Sequence, residues 1–300
     1  MAYHSNVLSA NAEIETGKEK NNDFDIDEFR ERKQKERDIV YDMIDDATLA
    51  LTEPEKLKEF LDIQSRFNLY RPGNILLIQS QLPLASSLKS FEDWNNRNIT
   101  VRKGEHPILI LKPGKQYTRN DGTIGQYTDV KQVFDASQTF SPPKPKPPSY
   151  PQGRTLIKAL MNKSPVPAKA SENVPDGLGA YYDPNSKVIY VRPDMAVHDI
   201  FRNLSSVLAY IELTRNMGDD LTYGNTHLSA DCVSYLLCRE HGVDVSSFDF
   251  RKASQSFVGM DPKDVRAELC EIRKTAGEIG GRMKPVIQQE RAEKEQEEVR

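Results

Sequence analysis

Apolar side chains recur with helical spacing near the start of this 300-residue chain and with strand spacing farther on. Over 26–51 they fall at Val40, Ile44, Ala47 and Leu51, with Ile39 and Met43 alongside, which is one face of an amphipathic helix. Thr52, Pro54 and Glu55 read as a capping-box start with proline in the first turn. They open a helix whose inner face is Leu57, Phe60, Leu61, Gln64 and Phe67, ending near Tyr70-Arg71-Pro72-Gly73. The next helix, over 75–82, is apolar on nearly every side, so it is expected to be buried, with Asn74 placed to cap it. A short helix over 90–98 follows. Strands are expected over 99–102 and 107–112, around the turn Lys103-Gly104-Glu105-His106, and over 126–134 beyond a turn at 120–123.

Residues 141–153, SPPKPKPPSYPQG, lack the N–H groups a sheet ladder needs and read as extended, semi-rigid and solvated. Beyond them GLGAYYDPNSKVIYVRP predicts a hairpin turning at 183–186. Helices are then expected over about 194–216, 227–241 and 262–277. The fold class is therefore α+β: N-terminal helices packed on a small antiparallel sheet, then a mainly helical domain opened by a β-hairpin. The organisation reads as a disordered tail (1–25), a first domain (26–140), a proline-rich linker (141–175), a second domain (176–287) and a charged, fraying tail (288–300).

Composition changes this picture in two ways. The formal net charge is -4, yet between Arg66 and Arg119 there are nine basic against three acidic side chains. A basic module inside an acidic chain is the electrostatic footprint of a protein of which one part meets phosphates. Cys232, Cys238 and Cys270 are odd in number and lack close-paired metal spacing, so they read as reduced thiols in a cytoplasmic protein. No stretch reads as an export signal or approaches the roughly 20 apolar residues that span a bilayer, so no membrane association is expected.

The string LYRPGNILLIQSQLPLASSLKSFEDWNNRNITVRKGEHPILILKP, with QVFDASQT after it, resembles the N-terminal domain of ArdC-type antirestriction proteins. The shared pattern includes Tyr70, Asn74, Gln81, Pro83, Phe91, Trp94, Val101, Lys103, Gly104, Glu105, Pro113, Phe134, Ser137 and Gln138; His106 and Pro107 stand where the family carries a second Lys-Gly. The resemblance implies binding of single-stranded DNA in a mobile element. The second domain, about 179–254, looks like the zincin-type metallopeptidase half that accompanies this module. Where that family has HExxH, this chain has Ser206, Val207, Leu208, Ala209 and Tyr210, and Asp231 replaces the third-ligand glutamate.

A catalytic zinc needs three protein ligands and an open water position, and the glutamate between the two histidines is the general base. None of those groups is present, so no enzyme activity, metal or cofactor is expected. His227 with Asp231, and Cys238 with His241, have helical spacing that a rebuilt metal site would use, but they read first as helix-end and core residues. In the first domain Arg66, Arg71, Arg97, Arg102, Lys103, Lys112, Lys115 and Arg119 are the candidates to track phosphates. Tyr70, Trp94, Tyr117 and Tyr127 are the rings available to stack on bases, though the helical spacing of Trp94 from Phe91 also fits a core residue. Gly104 lets backbone approach a phosphate beside Lys103. Asn74 and Gln81 fit either nucleotide contacts or local hydrogen bonds. The function expected is sequence-independent binding of single-stranded DNA beside an inactive peptidase-like domain. The alternative is an interaction adaptor whose altered peptidase groove holds a protein partner, with DNA binding incidental.

Overall fold

The stripe at Val40 and Ile44 produces the helix it predicts, α1 (Ile26–Leu49), with both residues buried. The computed structural model describes residues 26–119, 123–143, 150–151, 153–217 and 223–298. The expected N-terminal tail, the tip of the turn at 120–122 and the proline-rich residues 144–149 lie outside them. In chain order the further elements are α2 (Pro54–Arg66), α3 (Pro72–Gln81), β1 (Leu88–Lys89), α4 (Phe91–Asn95), β2 (Ile108–Thr118) and β3 (Ile124–Asp135). Then come α5 (Arg154–Leu160), β4 (Ala168–Ala170), β5 (Ala180–Asp183), β6 (Val188–Val191), α6 (Val197–Met217), α7 (Tyr223–His241), α8 (Arg251–Ser256) and α9 (Pro262–Glu298). The chain is α+β and forms two compact units, the first from residues up to Ala47 with Leu76–Lys144, the second from Thr48–Ile75 with Pro145–Arg300.

In the first unit β1, β3 and β2 make an antiparallel sheet in that order. Ile108, Leu109 and Ile110 are buried at one end of the β2–β3 pair, whereas Lys112, Pro113 and the run from Lys115 to Thr118 are exposed. A two-stranded ribbon thus leaves the core and continues into solvent for roughly 20 Å, at about 3.3 Å per residue. The expected strand over 99–102 is instead a loop, in which Val101 makes an isolated bridge to Thr139. Conversely β2 runs on past Lys112, because ladder hydrogen bonds to β3 hold a segment that has no buried face to announce it. Two glutamines and one aspartate tie the sheet to its surroundings. Gln81 accepts from the Leu109 N–H (2.8 Å) and donates to the Leu109 carbonyl (3.0 Å), mimicking a strand neighbour. The buried Asp135 carboxylate accepts from the N–H groups of Ser86 (2.6 Å), Ser87 (2.7 Å) and Ser137 (2.8 Å). Gln138 accepts from the Asp135 N–H (2.8 Å) and donates to the His106 carbonyl (2.7 Å).

In the second unit α6 packs along α7, α2 lies against α7 and α8, and α9 crosses α5, α6 and α7. A second sheet, in order β4–β6–β5, contains the predicted hairpin; Asp183 closes its turn by accepting from the N–H of Asn185 (3.0 Å) and the hydroxyl of Ser186 (2.7 Å). Three sequence expectations change here. Thr52 does not cap α2: its hydroxyl donates to the Leu49 carbonyl, and Glu53 holds the cap position without a side-chain bond. The segment read as linker contains α5, whose Leu156, Ala159 and Leu160 are fully buried, and the paired strand β4. Finally, α9 runs through Gly277 and on to Glu298 because Val265, Leu269, Ile272, Ile279, Met283 and Ile287 give it a continuous buried row.

Glu212 of α6 is 4% exposed and meets Arg282 of α9 at 2.6 Å. Removing one member strands the other charge away from water. Arg282→Met is expected to lower unfolding free energy by about 3–5 kcal/mol in urea denaturation, and adding Glu212→Leu is expected to recover most of that loss.

Candidate nucleic-acid interface

The ribbon is where exposed rings and cations meet. In the ladder register Lys112 stands opposite Asp129 and Tyr117 opposite Gly125, so Lys112, Tyr117, Tyr127 and Lys131 share one face. The Tyr117 and Tyr127 rings stack at 4.4 Å between centroids, tilted by 33°. They keep 37% and 51% of their surface open. Tyr117 lies flat on the strand because its partner has no side chain: a Cβ at Gly125 would sit 2.5 Å from the Tyr117 ring. Lys115 is exposed at the irregularity between Pro113 and Gln116. Arg119, also exposed, closes the ribbon end by donating its backbone N–H to the Thr123 carbonyl at 2.7 Å. Lys131 escaped the sequence reading, although two-residue alternation from Tyr127 and Asp129 points to it.

Other expected contacts separate into scaffold and surface. Trp94 is a correction: it is 0% exposed among Val101, Ala136, Ile99 and Phe134, and its Nε1 donates to the Phe134 carbonyl at 2.9 Å, so no base reaches its ring. Arg102 is tied by Nε to Glu105 (2.8 Å) and by a second nitrogen to the Thr139 carbonyl (3.2 Å), which neutralises it and makes it part of the turn. Lys103 and Gly104 are exposed at the tip of that turn, and the φ of 85° at Gly104 suits glycine. Arg97 is exposed beyond α4.

Arg66, Tyr70, Arg71 and Asn74 fall in the segment that packs with the second unit, outside the compact body that carries the ribbon. Arg66 and Arg71 are exposed, and Tyr70 is half-buried with its ring 5.8 Å from that of Phe67. Asn74 is 9% exposed inside the first turn of α3, so it neither caps that helix nor offers its amide to a nucleotide.

Ser206 and Tyr210 of α6 meet Asp231 and His227 of α7 in the second unit. The Ser206 hydroxyl donates to Asp231 Oδ1 at 2.7 Å, and the Tyr210 and His227 rings stack at 4.2 Å and 5°. Close packing pushes the Asp231 carboxyl up, against the Ser206 bond and the neighbouring His227, which lower it. A hydroxyl already donating to the Asp231 carboxylate and an imidazole stacked on a phenol do not make a tetrahedral ligand set. Val207, half-buried between them, has no proton-accepting atom. Cys238 and His241 sit elsewhere. Burial raises the Cys238 thiol to about 12, while His241 is 8% exposed against Phe201, their rings 6.1 Å apart. Among the described residues no group of three or more His, Cys, Asp or Glu side chains is placed to hold a metal.

Residues 31–140 match the family model of the N-terminal domain of the anti-restriction factor ArdC. The uncharacterized protein pXO2-81 of Bacillus anthracis is 22% identical over 309 residues, an alignment covering 81% of this chain and 50% of that protein. The chain thus spans about half the length of the curated relative it matches. Crystal structures of the antirestriction ArdC protein from the R388 plasmid, metal-free and Mn(II)-bound, superimpose with TM-scores of 0.52 and 0.51 at 17% identity. They cover 72% of this chain and 85% and 84% of their own, so the shared fold extends beyond the N-terminal segment.

His241 makes the second unit sensitive to acid. Burial, with Lys284 and Arg291 nearby, lowers its pKa from 6.5 to about 4. Between those values the unfolded chain takes up a proton that the folded chain refuses, so this stabilisation is complete above pH 6.5 and is lost as pH falls toward 4. The loss amounts to about 3 kcal/mol at most, at 1.36 kcal/mol per unit. Denaturation midpoints of His241→Asn are expected to fall less steeply across that window than those of the parent chain.

Proposed function

We propose that this chain, whose residues 31–140 are an ArdC-type N-terminal domain, binds single-stranded DNA without reading its sequence. The observation that carries the reading is the exposed Tyr117–Tyr127 pair on a ribbon that also carries Lys112, Lys115, Arg119 and Lys131. Unpaired bases stack on rings whatever their identity, and lysine and arginine follow the phosphates. The Lys103–Gly104 turn adds a cation and an unobstructed backbone.

In this proposal the second unit is catalytically silent, and the protein acts in a mobile genetic element, protecting or processing entering DNA. What supports silence is the side chains at 206, 207, 210 and 231, which supply neither two imidazoles nor a general base. Purified protein is expected to carry no stoichiometric zinc or manganese in elemental analysis; metal that is lost on Asp231→Ala would overturn that part.

Oligonucleotide anisotropy at increasing salt tests the DNA reading. Affinity should fall linearly in log salt with a slope near -0.7 per phosphate neutralised. Tyr117→Ala with Tyr127→Ala should weaken binding by about 1–3 kcal/mol per stacked base, and Lys103→Ala should weaken it equally for every sequence. No binding at low salt, or a loss confined to particular sequences, contradicts the proposal.

A further inference from the structure

The ribbon of the first unit has two unlike faces. Lys112, Asp129 and Lys131 stand with Tyr117 and Tyr127 on one of them. The residues that the same ladder places on the other face, between Leu111 and Thr118 on β2 and between Ile124 and Val130 on β3, are all uncharged. Leu111 pairs there with Val130 and Pro113 with Thr128; past the irregularity Gln116 pairs with Gln126 and Thr118 with Ile124. Lys115 stands at the irregularity, outside both sets. Most of the uncharged face is open to solvent: Pro113, Gln116, Thr118 and Gln126 are exposed, and Ile124 keeps 68% of its surface.

A two-stranded ribbon standing in water is marginally stable, and charge on its surface is a usual guard against pairing with another chain. Here that guard covers one face. Along the other the pairs run from apolar, at Leu111 and Val130, through the hydroxyl of Thr128 and the amides of Gln116 and Gln126, to apolar again at Ile124. Such an order is its own complement when turned end for end. A two-fold axis lays the Ile124 end of one ribbon on the Leu111–Val130 end of another and sets amides against hydroxyls. The charged face has no such match, because stacking it on itself would bring lysine onto lysine.

We propose that the uncharged face is a self-association surface: two copies of this chain, bound to one single strand, stack these faces and turn their cationic faces outward to the strand. The inference rests on the strand-binding reading of the ribbon. The face measures roughly 20 Å by 10 Å, well below the about 800 Å² per partner of a standard interface, so it does not hold free copies together. A shared strand supplies the missing local concentration, on the order of millimolar for neighbours on a short flexible tether. Binding is therefore cooperative on a strand long enough for two copies and simple on a shorter one.

Anisotropy of the full chain with oligothymidylates of about 8 and about 40 nucleotides reads the two properties separately, since single-strand sites span roughly 4–16 nucleotides. The long one is expected to bind about ten-fold more tightly per site than the short one. Thr128→Lys with Gln116→Lys places cations in the middle of the uncharged face. They should hold or tighten binding of the short oligonucleotide, by adding charge against phosphate, yet abolish the gain on the long one. In a Cys270→Ser background, Thr128→Cys should cross-link copy to copy through a bis-maleimide spanning about 10 Å, the spacing of stacked sheets, only when the long strand is present. The proposal is overturned if the long oligonucleotide gains nothing beyond its number of sites, if the lysine variant keeps the gain, or if no strand-dependent cross-link forms. Failure of the short oligonucleotide to bind removes the strand-binding reading and this inference together, whereas intact short binding without the gain removes this inference alone.

Discussion

A buried carboxylate organises the root of the ribbon. Asp135 ends β3 with no solvent exposure; burial pushes its carboxyl up, but the donors of Ser87, Ser137 and Ser86 outweigh that and hold it below the usual carboxylate range. It therefore stays charged, and its charge is spent on backbone N–H groups of the loop before β1 and of the turn after β3. Gln138 completes the node by reaching the His106 carbonyl, which fixes where β2 begins. With both strands anchored at one end, the other end can extend into solvent without support from a core.

This division explains why the residues that make the N-terminal segment recognisable are mostly not the ones placed to touch a ligand. Gln81, Trp94, Phe134, Ser137 and Gln138 hold loops and strands together through backbone hydrogen bonds or packing. The rings and cations of the outer ribbon lie beyond that framework, where the requirement is only for exposed π faces and positive charge. The proposed binding rests on those rings and charges rather than on contacts to base edges.

In the second unit α6 and α7 are joined through small polar side chains. Ser205 and Ser234 hydroxyls meet at 2.7 Å between α6 and α7, and both reach the Arg202 carbonyl at 3.0 Å, so the helices remain bonded to each other. The adjacent Ser206 hydroxyl donates to Asp231, and the Tyr210 and His227 rings stack on each other.

Periodicity in the sequence determined the α+β class, the long helices and the hairpin at Asp183, because each is a local property of spacing. It also located the basic stretch and singled out Tyr117 and Tyr127. Tertiary structure decided which of those residues remain accessible. Trp94 is buried and Arg102 neutralised by partners that a linear pattern does not reveal, and Arg66 to Asn74 pack with the other unit. The outer half of β2, the helix α5 inside a proline-rich stretch and the continuation of α9 past three glycines were equally hidden. Their stability comes from cross-strand ladders and long-range burial, which depend on what lies opposite in space rather than on what lies next in the chain.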